Sequence, residues 1–117
     1  MKFKEDKLGS EFWQVKPKLR AVLCDMEQWL AARGVEMEIT CLYRTQDEQD
    51  TLFASGLTPD KISVHTLWRG ADVHWVDQSP DMMAYINARW VYDPARPDMN
   101  TAGSHEGTQL HVHVKVL

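Results

Sequence analysis

The chain's five histidines, His65, His74, His105, His111 and His113, all fall in or beside two short segments. In His111-Val112-His113-Val114 the imidazoles are two residues apart, so a strand would put both on one face and turn the valines into a core. The other segment runs from Ser63 to His74. His65 sits in a loop, Asp72 follows seven residues later at the head of a strand, and His74 shares the face of Asp72 by alternation. An imidazole, a carboxylate and a second imidazole are the ligand types of a hydrolytic zinc site, which keeps one coordination position open for water. A lone His-x-His also describes two surface histidines. A strand-end carboxylate such as Asp72 can equally be satisfied by backbone N–H groups. His74 reads as a solvated strand residue rather than a ligand.

These residues need elements to hold them. Leu19, Val22, Leu23, Met26, Trp29 and Leu30 recur at helical spacing after Pro17, which predicts a helix to about Arg33 with Gly34 as its cap. Val35, Met37, Ile39 and Cys41 alternate with polar residues, the pattern of a half-buried strand. Thr45 with Glu48 forms a capping box that opens a short helix ended by Gly56. Gly70 to Val76 reads as a second strand, and Ser79-Pro80 starts a helix with Met82, Met83, Ile86 and Trp90 on one face. Residues 91–109 carry no periodicity and read as a long loop, a feature that is usually functional in a small domain. Leu110 to Leu117 closes the chain as a strand. The expected class is α+β, a small antiparallel-rich sheet with helices on one side, in a single domain over 1–117 with 1–15 as a lead-in.

Length and charge narrow the functions. A chain of 117 residues is one ordinary domain. Thirteen Lys+Arg against seventeen Asp+Glu give a net charge of -4, which supplies no basic stripe for nucleic acid or an anionic membrane. No apolar run approaches the ~20 residues of a membrane span. The first residues lack the apolar stretch of a signal peptide, which implies synthesis in the cytoplasm. Cys24 and Cys41 form no CxxC pair and read as two reduced, buried thiols.

Three motifs in order resemble the zinc D-Ala-D-Ala carboxypeptidase and L-Ala-D-Glu endopeptidase family, whose fold is shared with the Hedgehog signalling domain. Its first motif is Ser-x-His-x-x-Gly-x-Ala-x-Asp. Ser63, His65 and Asp72 fall at matching places, Gly70 takes the small-residue position, and Trp68 stands where the family usually has glycine. Its second is an acidic residue shortly before a His-x-His or Trp-His, here Glu106 ahead of His111 and His113, about a residue further away than usual. The third is a strand-end Ser-Gly-x-Arg-Thr followed by a helix with a glutamine, which Thr40 to Gln49 resembles. The likeness spans the chain from about residue 20 to the C-terminus.

By that resemblance the zinc ligands are His65, Asp72 and His113. His111 lies beside the metal as a polarising or proton-transfer group, in a register that leaves the two histidines free to trade roles. Glu106 is the implied general base, with His105 as its competitor. Arg44 faces the pocket, where a guanidinium holds a substrate carboxylate or a developing oxyanion. The resemblance implies a monomeric zinc metallopeptidase cutting an amide bond in peptidoglycan stem peptides. Specificity would come from Arg44, the 91–109 loop and the aromatic residues Tyr43, Trp68 and Trp75. The alternative from a different class is a non-catalytic zinc-stabilised binding or structural module.

Overall fold

Val112, Val114 and Val116 are all buried while His111, His113 and Lys115 between them are not, so the closing strand turns one face to a core and the other outward. The computed structural model describes residues 1–76, 80–106 and 110–117, without the side chains of His105, Glu106 and Leu110. The described elements are β1 (Lys2–Phe3), α1 (Lys7–Phe12), α2 (Pro17–Ala31), β2 (Glu38–Cys41), α3 (Gln46–Ala54), a 3-10 turn (Val64–Leu67), β3 (Gly70–His74), α4 (Pro80–Arg89), β4 (Ala102–Glu106) and β5 (Leu110–Lys115). They make an α+β domain around a five-stranded mixed sheet in the order β1-β2-β3-β5-β4. β1 and β2 run parallel, and the other three pairings are antiparallel.

Helices α1, α2 and α4 bury Leu8, Phe12, Leu23, Met26, Met82 and Ile86 against Ile39, Ala71, Val73, Val112 and Val114. The alternate residues of β3 and β5 are therefore left on the opposite face, where chemistry is accessible. Asp25 ties α2 to α4, accepting from Trp90 Nε1 at 2.8 Å and Tyr85 Oη at 3.2 Å and pairing with Arg89 at 2.7 Å. Helix α3 buries only Gln49 and stands at the rim of the outward face. Its capping box is formed in full, with Thr45 and Glu48 each accepting from the other's backbone N–H. Among the described residues no helix is long and apolar enough to cross a membrane.

Three expectations need correction. Residues 1–15 are not a lead-in: β1 pairs with β2, and Leu8, Phe12 and Val15 enter the core. The 91–109 stretch contains a strand, β4, whose Ala-Gly-Ser-His-Glu sequence has little strand propensity and is held by pairing with β5. The cysteines are free but only half-buried, and Cys41 does not continue the apolar face of β2. A register shift between Ile39 and Cys41 inserts one extra residue, sets Cys41 opposite Asp72, and sends Leu42 into the core instead.

Candidate metal centre

The 3-10 turn that carries His65 is built by its neighbours. Ser63 caps it, its Oγ accepting from the His65 N–H at 3.1 Å, and Arg69 N–H closes it on the Val64 carbonyl at 3.0 Å. Trp68 leaves the turn at φ 60°, ψ 26°, the left-handed region that glycine enters freely. Its indole stacks on Tyr43 with centroids 4.1 Å apart and planes 10° from parallel. A contact worth about 0.5–1.5 kcal/mol offsets a backbone cost of about 1–2 kcal/mol. Gly70 is required by packing: a Cβ there would stand 2.3 Å from Val64 Cγ2 and 3.3 Å from His65 N. Gly70→Ala is therefore expected to destabilise the fold by about 1–3 kcal/mol, read as a lowered Tm, and to push the His65 turn outward.

His65 is 3% exposed, and its Nδ1 faces the Leu42 carbonyl at 3.0 Å. A carbonyl only accepts, so Nδ1 carries the proton and Nε2 is turned towards Asp72 Oδ1, 3.2 Å away. This is the tautomer-fixing contact that orients a metal-ligating histidine. The same carboxylate oxygen meets His113 Nδ1 at 3.1 Å and His111 Nε2 at 3.5 Å. β3 and β5 impose this, because Asp72 and His113 are paired in register and His111 follows on the same face.

Burial opposes charge on His65, but the hydrogen bonds and charge of Asp72, with a contribution from Cys41, raise its pKa to about 10. Burial likewise opposes the Asp72 carboxylate, and hydrogen bonds and charge from His113 and His65 hold it well below the usual range. One carboxylate oxygen thus meets three imidazole nitrogens at 3.1–3.5 Å, and imidazole nitrogen and carboxylate oxygen are donor types that zinc takes. Cys41, His65 and Asp72 also form a group whose ligand atoms lie within 4.8 Å of one another and could hold a metal ion. Cys41 Sγ comes 3.7 Å from Nδ1 of His65, the nitrogen already facing Leu42.

Above these groups lies an open cleft of about 460 Å³ whose lining includes Arg44, His65, Asp72, His111 and His113. Arg44 is held by Nη1 donating to Gln49 Oε1 at 2.8 Å, and fully buried Gln49 donates in turn to the Asp60 carbonyl at 2.7 Å. Gln49→Leu removes both bonds and is expected to cost about 1–3 kcal/mol by denaturant unfolding, while loosening Arg44.

Five residues singled out in the sequence thus converge: Arg44, His65, Asp72, His111 and His113. The backbone of β4 sets His105 in register with His111 and Glu106 with Leu110, but the side chains of both candidate bases lie outside the described residues. His74 pairs with Glu38 and does not line the cleft. Trp75, expected near the mouth, is in the core at 1% exposure, while Tyr43 and Trp68 stack on each other. Cys41 escaped the sequence reading because only the bulge turns it to this face. Lys115 escaped it too, although the alternation that selected His111 and His113 places it on the same side. No family model matches the chain, and neither a curated protein nor a solved structure matches it.

Proposed function

We propose that this chain is a zinc-dependent peptidase of the Hedgehog and DD-peptidase fold that hydrolyses an amide bond in peptidoglycan stem peptides. The observation that carries the reading is the convergence of His65, His111 and His113 on one oxygen of Asp72 at the floor of an open cleft. The donors are imidazole nitrogen and carboxylate oxygen, which suits zinc. His65, Asp72 and His113 would hold it, and His111 would stand beside it. Bound there, zinc would supply Lewis acidity, lowering the pKa of a water towards ~7 and polarising the scissile carbonyl.

The chain's own residues do the rest. The Leu42 carbonyl keeps the His65 proton on Nδ1. Arg44, braced by Gln49, presents fixed N–H donors to a substrate carboxylate or to the oxyanion that forms on attack. Glu106 is the proposed general base, taking the proton of the attacking water and returning it to the leaving amine. His105 competes for that role, because a position in register with His111 lies on the same side of the sheet.

A second reading, a zinc-stabilised module without catalysis, is favoured by one observation: Cys41 belongs to a group that could hold a metal. A thiolate added to the two histidines and Asp72 would close the coordination sphere, as in structural sites. The test is digestion of purified peptidoglycan by zinc-loaded protein, with fragments read by mass spectrometry. New peptide ends, lost in His113→Ala, support the enzyme. Intact stem peptides from folded, zinc-loaded protein would leave only the module. Glu106→Gln and His105→Gln then identify the base as the variant that keeps zinc and loses cleavage.

A further inference from the structure

Two permanent cations, Arg44 and Lys115, line the cleft over the His–Asp centre. Arg44 follows the end of β2, and its backbone N–H donates to the His65 carbonyl at 3.4 Å. Lys115 ends β5, on the same face as His113 and ~7 Å further along the strand. β3, which carries Asp72, runs between β2 and β5, so one cation stands on each flank of the centre. Two strand spacings separate those flanks by ~10 Å. Neither charge is neutralised from within. The half-buried Arg44 guanidinium has the neutral Gln49 Oε1 at 2.8 Å and the Cys41 sulfur at 3.8 Å as its partners. Lys115 is half-buried too, with its Nζ 4.8 Å over the Tyr92 ring, a contact that positions an ammonium without cancelling its charge. Among the described residues no carboxylate pairs with either cation. Of the acidic residues in the lining, Asp72 is committed to the imidazoles and Asp60 is exposed. Leu52, Leu57 and Ile62 add apolar surface that answers no charge. A chain of net charge -4 thus keeps two partly desolvated, uncompensated cations in one cleft, an arrangement that an anionic ligand would complete.

We propose that Lys115 is a specificity-determining residue that acts with Arg44 as a two-point clamp, selecting amides that carry two carboxylates, one on each side of the attacked carbonyl. The proposal rests on the peptidase reading and narrows its substrate class. With the carbonyl over the centre, one carboxylate reaches the Arg44 fork and the other the Lys115 ammonium. A single carboxylate or phosphate is too small to meet two cations on opposite flanks. A neutral aliphatic peptide would leave both charges unanswered.

Calorimetric titration of the zinc-loaded protein with reduced-amide analogues, which bind without being cut, tests this. The parent is succinyl-Ala-Ala with its Ala-Ala amide reduced, so that one carboxylate lies on each side of that position. In two further analogues one carboxylate or the other is converted to its amide. The parent is expected to bind about tenfold more tightly than either mono-amide. Lys115→Met keeps the aliphatic stem and removes the charge. It should weaken the parent about tenfold, leave one mono-amide bound as by the wild type, and keep the zinc content. Lys115→Arg should restore binding of the parent. The unaffected mono-amide shows that the methionine variant is folded, and it identifies the carboxylate that Lys115 meets. The proposal is overturned if the wild type binds the parent no better than the mono-amides, or if Lys115→Met weakens all three analogues alike or none. Incubation with the unreduced parent separates the proposal from the reading beneath it. Lys115-dependent binding without cleavage leaves the clamp and removes the peptidase. Cleavage indifferent to amidation and to Lys115 leaves the peptidase and removes the clamp.

Discussion

Asp72→Asn is expected to lower zinc affinity by more than about a hundredfold and to reduce peptidoglycan cleavage to background. The substitution keeps the volume and the Thr40 hydroxyl bond to the Asp72 carbonyl, 3.2 Å long, so the strand pairing survives. What is lost is a formal negative charge in contact with three imidazoles, at 3.1, 3.2 and 3.5 Å. An amide oxygen is a weak replacement, and its NH₂ would face imidazole nitrogens that need an acceptor or a cation. Competition against a chromophoric chelator measures the affinity, and far-UV circular dichroism establishes that the variant is folded. Unchanged zinc affinity in Asp72→Asn would remove Asp72 from the ligand set.

The second large effect concerns pH. In the metal-free protein the pKa of His65 stands above its ordinary 6.5, at about 10, so its contribution to stability is complete below 6.5 and fades as pH rises through about 10. Asp72 is shifted the other way: its contribution is complete above its ordinary 3.8 and fades as pH falls towards its much lower folded value. Chelator-treated protein should therefore be most stable between about pH 4 and 6.5 as far as this pair is concerned, with Tm declining on the alkaline side. His65→Gln should flatten that decline. Zinc must displace the His65 proton, so its affinity should rise about tenfold per pH unit below 10 for that proton. A zinc affinity independent of pH between about 6.5 and 9 would show that His65 gives up no proton to the metal.

Much of the site was legible because it depends on short-range periodicity. Alternation alone put His111 and His113 on one face, and the strand pairing of Asp72 with His113 completes what the spacing of His65 and Asp72 suggested. Helices α2, α3 and α4 carried their own signals in Pro17, the Thr45–Glu48 box and Pro80. Elements made by tertiary contact were not legible. β1 has two residues, α1 has six, and β4 lacks strand-forming residues, so each exists through what it packs or pairs with. The bulge before Cys41 is of the same kind, a matter of register between strands that leaves no trace in the order of residues.

Zinc-edge X-ray absorption on the reconstituted protein tests the central claim most directly. Ligation by His65, Asp72 and His113 with an open position predicts a first shell of nitrogen and oxygen at ~2.0–2.1 Å and no sulfur. A sulfur scatterer at ~2.3 Å would bring Cys41 into the shell and contradict an open catalytic centre, and failure of the folded protein to retain zinc would contradict the metal site altogether.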